Sequence, residues 1–468
     1  MLFVEFRFFW FFLLVFSVYW SLRENRSRKI WLLVCSYFFY AAWNWKFLFL
    51  LAGSSLLDYV VGYMLARTED PRARRGWLML SLSANLGTLA FFKYFNFFIA
   101  SGATFLAWLG LPVSVHTLNI ILPVGISFYT FHSMSYTIDV YRGKMRSVSS
   151  LLDVAAFIGF FPQMVAGPIV RAKLFLPQLQ SLRIFSDVDV RGALVLFLTG
   201  FVKKACVADA LAPTVDAYFN APGNFDATSA WVAMLFYVVQ LYCDFSGYTD
   251  MALATAQLLG YQLPVNFRFP YFAPNIAELW QRWHISLTTW LHDYLFTSLG
   301  GARGPRWFAY RNIMLTMVLC GLWHGAAWTF VVFGAMHGVG LVVYHEWKRL
   351  ARKVRLLGNV VEWIACPLTF YWICLTLVVF RSLDLERAGI TLHSVVLCTS
   401  SGAQQLGAWK LWVFAGLALV HWMNFRGIFA QWWRRGPDPV FAIGYGCVAA
   451  TVLLFIPQHY TPFIYFQF

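Results

Sequence analysis

Three histidines stand where an apolar chain has little room for them. His324 and His337 fall in "GLWHGAAWTFVVFGAMHG", Gly321 to Gly338, and His284 falls in "WQRWHISLTTWLHDYLF". A neutral imidazole within hydrogen-bond reach of a hydroxyl can take its proton, which makes the oxygen a nucleophile. A buried polar group without a partner costs several kcal/mol, roughly. An ionisable residue in a membrane-like stretch is therefore read as functional until a partner explains it. The spacings argue against a metal. On one helix His324 and His337 would stand ~19 Å apart, and His284 and His292 ~12 Å apart. No HExxH or Cys–His pattern occurs, so no metal is expected.

Other charged groups compete for a role. Asp244 and Asp250, in "YCDFSGYTDMA", could serve acid–base chemistry or hold an ion. Against that stands the reading that they satisfy backbone groups where a helix breaks at Gly247. Lys203 and Lys204, in "FVKKACVAD", snorkel to a membrane face or meet the phosphates of a cytoplasmic donor. His132 reads as a satisfied interior histidine, and His292 and Asp293 as solvated. Trp280, Arg282 and Trp283 surround His284, and Trp323 precedes His324; these four, with Asp244 and Asp250, are the candidates for substrate binding.

The elements that must hold these residues are helices in a bilayer. Of the 468 residues, 60% are hydrophobic and 12% charged, about half the charged share of a soluble domain. This predicts an all-α, polytopic membrane protein with residues 1–468 as one domain. The net charge of +15 would suggest nucleic acid in a soluble protein. Here the basic residues cluster in short loops, as the positive-inside rule requires, and no nucleic-acid partner is expected. Eight cysteines form no CxxC pair and read as packing residues. The opening "MLFVEFRFFWFFLLVFSVYW" carries Glu5 and Arg7 and lacks a small-residue cleavage site, so it reads as a retained first span.

Basic loops at Arg23–Lys29, Arg67–Arg75 and Tyr141–Arg146 alternate with apolar runs and are placed on the cytoplasmic side. Between them lie a hairpin of spans, 30–43 and 46–66, turning at "WNWK", and spans at 77–99 and 118–139. Residues 151–170, "LLDVAAFIGFFPQMVAGPIV", have basic flanks and internal Pro162, Gly167 and Pro168, so this segment is expected to be re-entrant. Further spans are expected at 190–211, 228–247, 311–347 (two short or one bent), 358–380, 406–424 and 438–457. The total is about eleven at one span per ~20 apolar residues. Residues 275–296 differ from all of these. Trp280, Trp283, Leu287, Trp290, Leu291 and Tyr294 form one stripe of an amphipathic interfacial helix, with His284 at its edge.

At these residues the sequence resembles the membrane-bound O-acyltransferase family. The likeness is strongest to its alginate O-acetylase branch, which includes peptidoglycan O-acetyltransferases and is related to the D-alanyl transferases of teichoic acid. "LPVGISFYTFHSMSYTIDVYRG", "FFPQMVAGPIVR", "YCDFSGYTDMA" and the ending "FIYFQF" match the same branch in order. His292, and Ala302 in "SLGGARGPR", depart from the Arg and Asn usual there. The resemblance implies a helical core narrowing to a central tunnel in the bacterial cytoplasmic membrane, with His324 as the essential histidine and His284 as its companion. It implies a cytoplasmic acyl thioester donor, acetyl-CoA, and no tightly bound cofactor. The implied acceptor is an extracytoplasmic polysaccharide, reached directly or through a periplasmic acetyltransferase partner. D-alanyl transfer, a proton-coupled transporter and a non-catalytic export scaffold are the alternatives. The residues do not name the acceptor polymer or measure the acyl chain.

Overall fold

The structure, a computed structural model, describes residues 2–111, 113–164, 167–353, 355–429, 432–434 and 436–456. Among these the regular structure is helical, and the nearest approach to a sheet is one isolated bridge between Phe225 and Gln404. Five helical runs are long and apolar enough to cross a membrane: Asn25–Arg67, Pro71–Trp108, Ala227–Leu258, Trp328–Ala351 and Ile364–Arg381. The architecture is that of an all-α, multi-pass membrane protein. The chain divides into two compact units, Met1–Ala193 with Met251–Pro264, and Leu194–Asp250 with Val265–Phe468.

In the first unit, local chemistry sets the helix ends. Asn44 closes Asn25–Asn44 and accepts from the Lys46 N–H at 3.1 Å, so the hairpin turns at "WNWK" as the sequence suggests. Asp70 caps Pro71–Leu89 by accepting from the N–H groups of Arg72 and Ala73, with Pro71 pre-set for the first helical position. The span expected at 118–139 begins later, as Ile126–Tyr141. Pro123 disfavours helix before it, and Gly125 supplies a φ of +75° at the start. Residues 151–170 do not span. Leu151–Ile158 and Phe161–Met164 are short, buried helices, and eight residues reach only ~12 Å.

The run expected at 190–211 is Val190–Phe201, a π-helical stretch Val202–Ala208 and Asp209–Asn220. The run expected at 228–247 continues to Leu258 as one helix, with no break at Gly247. The "GLWHGAAW" region is two helices, Arg306–His324 and Trp328–Lys353, parted at Gly325. They pack so closely that a Cβ on Gly334 would overlap the Met317 carbonyl oxygen. The last helices are Lys410–Phe425 and Asp438–Leu453. The "FIYFQF" ending, and Val165 and Ala166 of "FFPQMVAGPIVR", lie outside the described residues.

Candidate active site

The segment around His284 is not the single amphipathic helix its periodicity predicts. Ile276–Arg282 and Ile285–Trp290 are separate short helices, and His284 between them has φ +44° and ψ +52°. A left-handed conformation costs a non-glycine residue about 1–2 kcal/mol. The preceding loop holds the elbow. The Arg268 N–H donates to the Arg282 carbonyl at 2.9 Å, and the Ile285 N–H to the Asn266 carbonyl at 3.0 Å. Asn266 Oδ1 accepts from the Ser286 N–H at 3.1 Å and the Ser286 hydroxyl at 2.8 Å. These contacts compete with the helical pattern and win, because they occupy the groups a continuous helix would use.

The elbow turns His284 inward. Its side chain is fully buried in protein, not solvated at an interface, and neither ring nitrogen has a hydrogen-bond partner among the described residues. Burial pushes its pKa down to about 3, so the imidazole is neutral at pH 7. Of the stripe, Trp280, Leu287, Trp290, Leu291 and Tyr294 are buried and Trp283 is half-buried, whereas His292 is exposed and pairs with Asp293 at 2.9 Å.

The break at Gly325 folds His324 and His337 toward a common neighbour. On one straight helix they would stand apart. In the hairpin, the Phe333 ring lies 5.9 Å from that of His324 and 4.6 Å from that of His337, centroid to centroid. Trp323 joins this pair to the elbow, 5.0 Å from His324 and 5.8 Å from His284. Phe245 closes edge-on against His284 at 4.7 Å, and Phe380 packs against His324 at 5.3 Å. Trp280 meets His337 at 5.0 Å, and both line a cavity of about 20 Å³ together with Trp283. That is room for one water-sized group. The three histidines singled out in the sequence thus belong to one buried aromatic cluster. His337 Nδ1 and Trp280 Nε1 are buried there without partners among the described residues. Unpaired buried groups gathered in one place are a mark of a site that binds something polar.

The other sequence candidates go elsewhere. Lys204 pairs with Asp209 and with Asp244, each at 2.6 Å, and all three are almost fully buried. Lys203 pairs with Asp250 at 2.6 Å. Neither lysine snorkels, and neither aspartate caps a broken helix. Removing opposite charges to the interior is tolerated when they satisfy each other. Gly247 permits this pairing, since a Cβ there would crowd the Gly200 carbonyl and Lys203. Arg282 pairs with Glu278 one turn away. Trp283 stacks on Tyr271 at 6.0 Å.

Two features were missed. Asn266, in "LPVNFRFP", gave no signal, because its partner lies 20 positions on. A cavity of about 940 Å³, lined by residues including Lys203, Tyr242, Tyr271, Phe370 and His421, was also unforeseen. Its walls are mainly apolar, and His284, His324 and His337 are not among its lining residues. It offers the single imidazole of His421, whereas His284, His324 and His337 share one cluster.

A helical membrane chain with buried histidines around a tryptophan fits an enzyme that transfers acyl groups. Residues 2–382 match the family described as "MBOAT, membrane-bound O-acyltransferase family". The chain belongs to the membrane-bound O-acyltransferase family and is an O-acyltransferase. Among similar proteins, the "Probable alginate O-acetylase AlgI" of Pseudomonas aeruginosa is 42% identical over 378 residues, 81% of this chain and 71% of that one. The protein of the same description in Pseudomonas putida is 36% identical over 98% of both chains. A "Peptidoglycan O-acetyltransferase" of Helicobacter pylori is 37% identical over 79% of this chain and 73% of its own.

Proposed function

We propose that this chain is an O-acetyltransferase of the bacterial cytoplasmic membrane. Residues 1–468 act as one membrane domain. It passes acetyl from a cytoplasmic thioester, acetyl-CoA, to hydroxyls of an extracytoplasmic polysaccharide, directly or through a periplasmic acetyltransferase. The O-acetylase and O-acetyltransferase relatives support acetyl as the group and a glycan as the acceptor. The observation that carries the reading is the pairing of His324 and His284 across Trp323 in one buried cluster.

His324 is the general base. The acceptor oxygen attacks the acetyl carbonyl carbon as its proton passes to the His324 imidazole. The tetrahedral intermediate then collapses, the carbon–sulfur bond breaks, and the same proton leaves with the thiolate as thiol. His284, held by its elbow, orients the acetyl group or donates to the developing oxyanion. Trp280, Trp283 and Trp323 wall the site and exclude water, which would otherwise compete as acceptor.

The test uses purified full-length protein in proteoliposomes with acetyl-CoA labelled in the acetyl group. Alkali-labile label should move to an acceptor glycan, or to a supplied periplasmic acetyltransferase, with wild type and not with His324→Ala. Equal transfer by both proteins would overturn the assignment of the base. No transfer from acetyl-CoA, with transfer of D-alanine from a carrier-protein thioester, would overturn the donor.

A further inference from the structure

The first unit contains a polar cluster that acyl transfer does not use. Three helices each turn a pair of polar residues spaced four apart toward one point. Ser54 and Asp58 come from Leu48–Arg67, Ser81 and Asn85 from Pro71–Leu89, and Ser133 and Thr137 from Ile126–Tyr141. Residues four apart share a helix face, so the three pairs form one built set. Asp58 is fully buried, as are Ser81, Ser133 and Thr137. Ser54 is half-buried and marks the side from which the cluster is reached.

The carboxylate accepts from every side. The Ser81 hydroxyl donates to Asp58 Oδ1 at 2.6 Å, and the Asn85 amide donates to both oxygens, at 3.2 and 3.1 Å. The Ser133 hydroxyl donates to Oδ2. A second tier follows: Thr137 lies 3.0 Å from Ser81, Ser54 lies 3.0 Å from Ser133, and the Ser54 hydroxyl donates to Asn85 Oδ1 at 2.9 Å. All of these partners are neutral. Hydroxyls and an amide would join three helices without any carboxylate. A buried charge among neutral groups is expensive unless a counter-charge accompanies it.

We propose that this cluster is a sodium-binding site. The two Asp58 oxygens and the hydroxyls of Ser54, Ser81, Ser133 and Thr137 supply oxygen ligands, which suit a hard cation; the Asn85 amide nitrogen faces the carboxylate, and its carbonyl faces Ser54. One carboxylate gives the set a single negative charge, so a monovalent ion leaves the buried site neutral. A divalent ion would leave an excess positive charge in a low-dielectric interior. Bound sodium would hold the three helices together.

The full-length protein in detergent tests this without any catalytic readout. Thermal midpoints and bound radioactive sodium are measured in sodium, potassium and N-methylglucamine chlorides at equal ionic strength. Wild type should gain stability saturably with sodium, not with the other two cations, and should bind sodium. Asp58→Asn should fold and lose both responses. Ser81→Ala, which removes one ligand and keeps the charge, should need about ten-fold more sodium for half the effect, about 1.4 kcal/mol of binding, and stands in if Asp58→Asn does not fold. The proposal fails if wild type is indifferent to sodium. It also fails if Asp58→Asn keeps the response, or if only pH moves the midpoint, which would make Asp58 a protonated carboxyl.

Discussion

Replacing Asn266 with alanine tests how the site is built. Asn266 Oδ1 holds the Ser286 N–H at 3.1 Å and the Ser286 hydroxyl at 2.8 Å, directly beside the left-handed His284. The hydroxyl can rotate to another acceptor, but the backbone N–H cannot. Leaving that one buried donor unpaired costs about 1–3 kcal/mol. The elbow already carries about 1–2 kcal/mol of backbone strain. The two together weigh against the Arg268–Arg282 and Ile285–Asn266 backbone bonds that remain and push toward straightening, in which Ile276–Arg282 and Ile285–Trp290 join into the continuous amphipathic helix that the residue pattern prefers. His284 would then leave the Trp323 ring. Transfer of labelled acetyl should fall at least ten-fold, the equivalent of about 1.4 kcal/mol in the barrier, at equal amounts of folded protein. Ser286→Ala keeps the backbone hydrogen bond and should lose less than three-fold. If Asn266→Ala transfers acetyl within two-fold of wild type, the elbow does not depend on this clamp.

Other perturbations separate catalysis from architecture. Lys204→Met strands Asp209 and Asp244 in the interior and should destabilise the fold by about 3–5 kcal/mol, read as a lower thermal midpoint. Lys203→Met removes a partner from the more accessible Asp250 and should lower the midpoint less. Gly334→Ala forces a methyl against the Met317 carbonyl. It should cost about 1–3 kcal/mol by overpacking and reduce transfer further than its loss of folded protein explains, because the hairpin carries both His324 and His337. The neutral burial of His284 also has a pH signature. Its folded pKa of about 3 lies below the unfolded value of about 6.5. Its contribution is therefore full above pH 6.5 and shrinks by about 1.4 kcal/mol per pH unit as pH falls toward 3. Wild type should lose more stability than His284→Asn between pH 7 and 5.5; equal losses would contradict a buried neutral imidazole.

Much of the helical framework follows from short-range signals. The turn at "WNWK" and the breakers in residues 151–170 act within a few residues, so sequence alone places them. The stripe of Trp280, Leu287, Trp290 and Tyr294 predicts which faces are buried. The elbow at His284 was not legible, because it is imposed by Asn266 and Arg268 from a separate loop. The same holds for the charges. Lys204 and Asp244 each look anomalous in an apolar run, yet forty residues separate them (244 − 204), and only packing shows that they answer each other. Two short spans over 311–347 are one of the alternatives the sequence offers, and the chain does divide at Gly325; only packing shows that this brings His324 and His337 to a common neighbour.

The most direct measurement is alkali-releasable acetate, fraction by fraction, on the surface glycans of cells carrying wild type, His324→Ala or no copy of the gene. Protein levels are matched by immunoblot. The account predicts that one glycan fraction loses its acetate in both the His324→Ala and gene-less cells, and that this fraction is the acceptor. Wild-type acetate in His324→Ala cells at equal protein would contradict the claim that this buried histidine activates the hydroxyl.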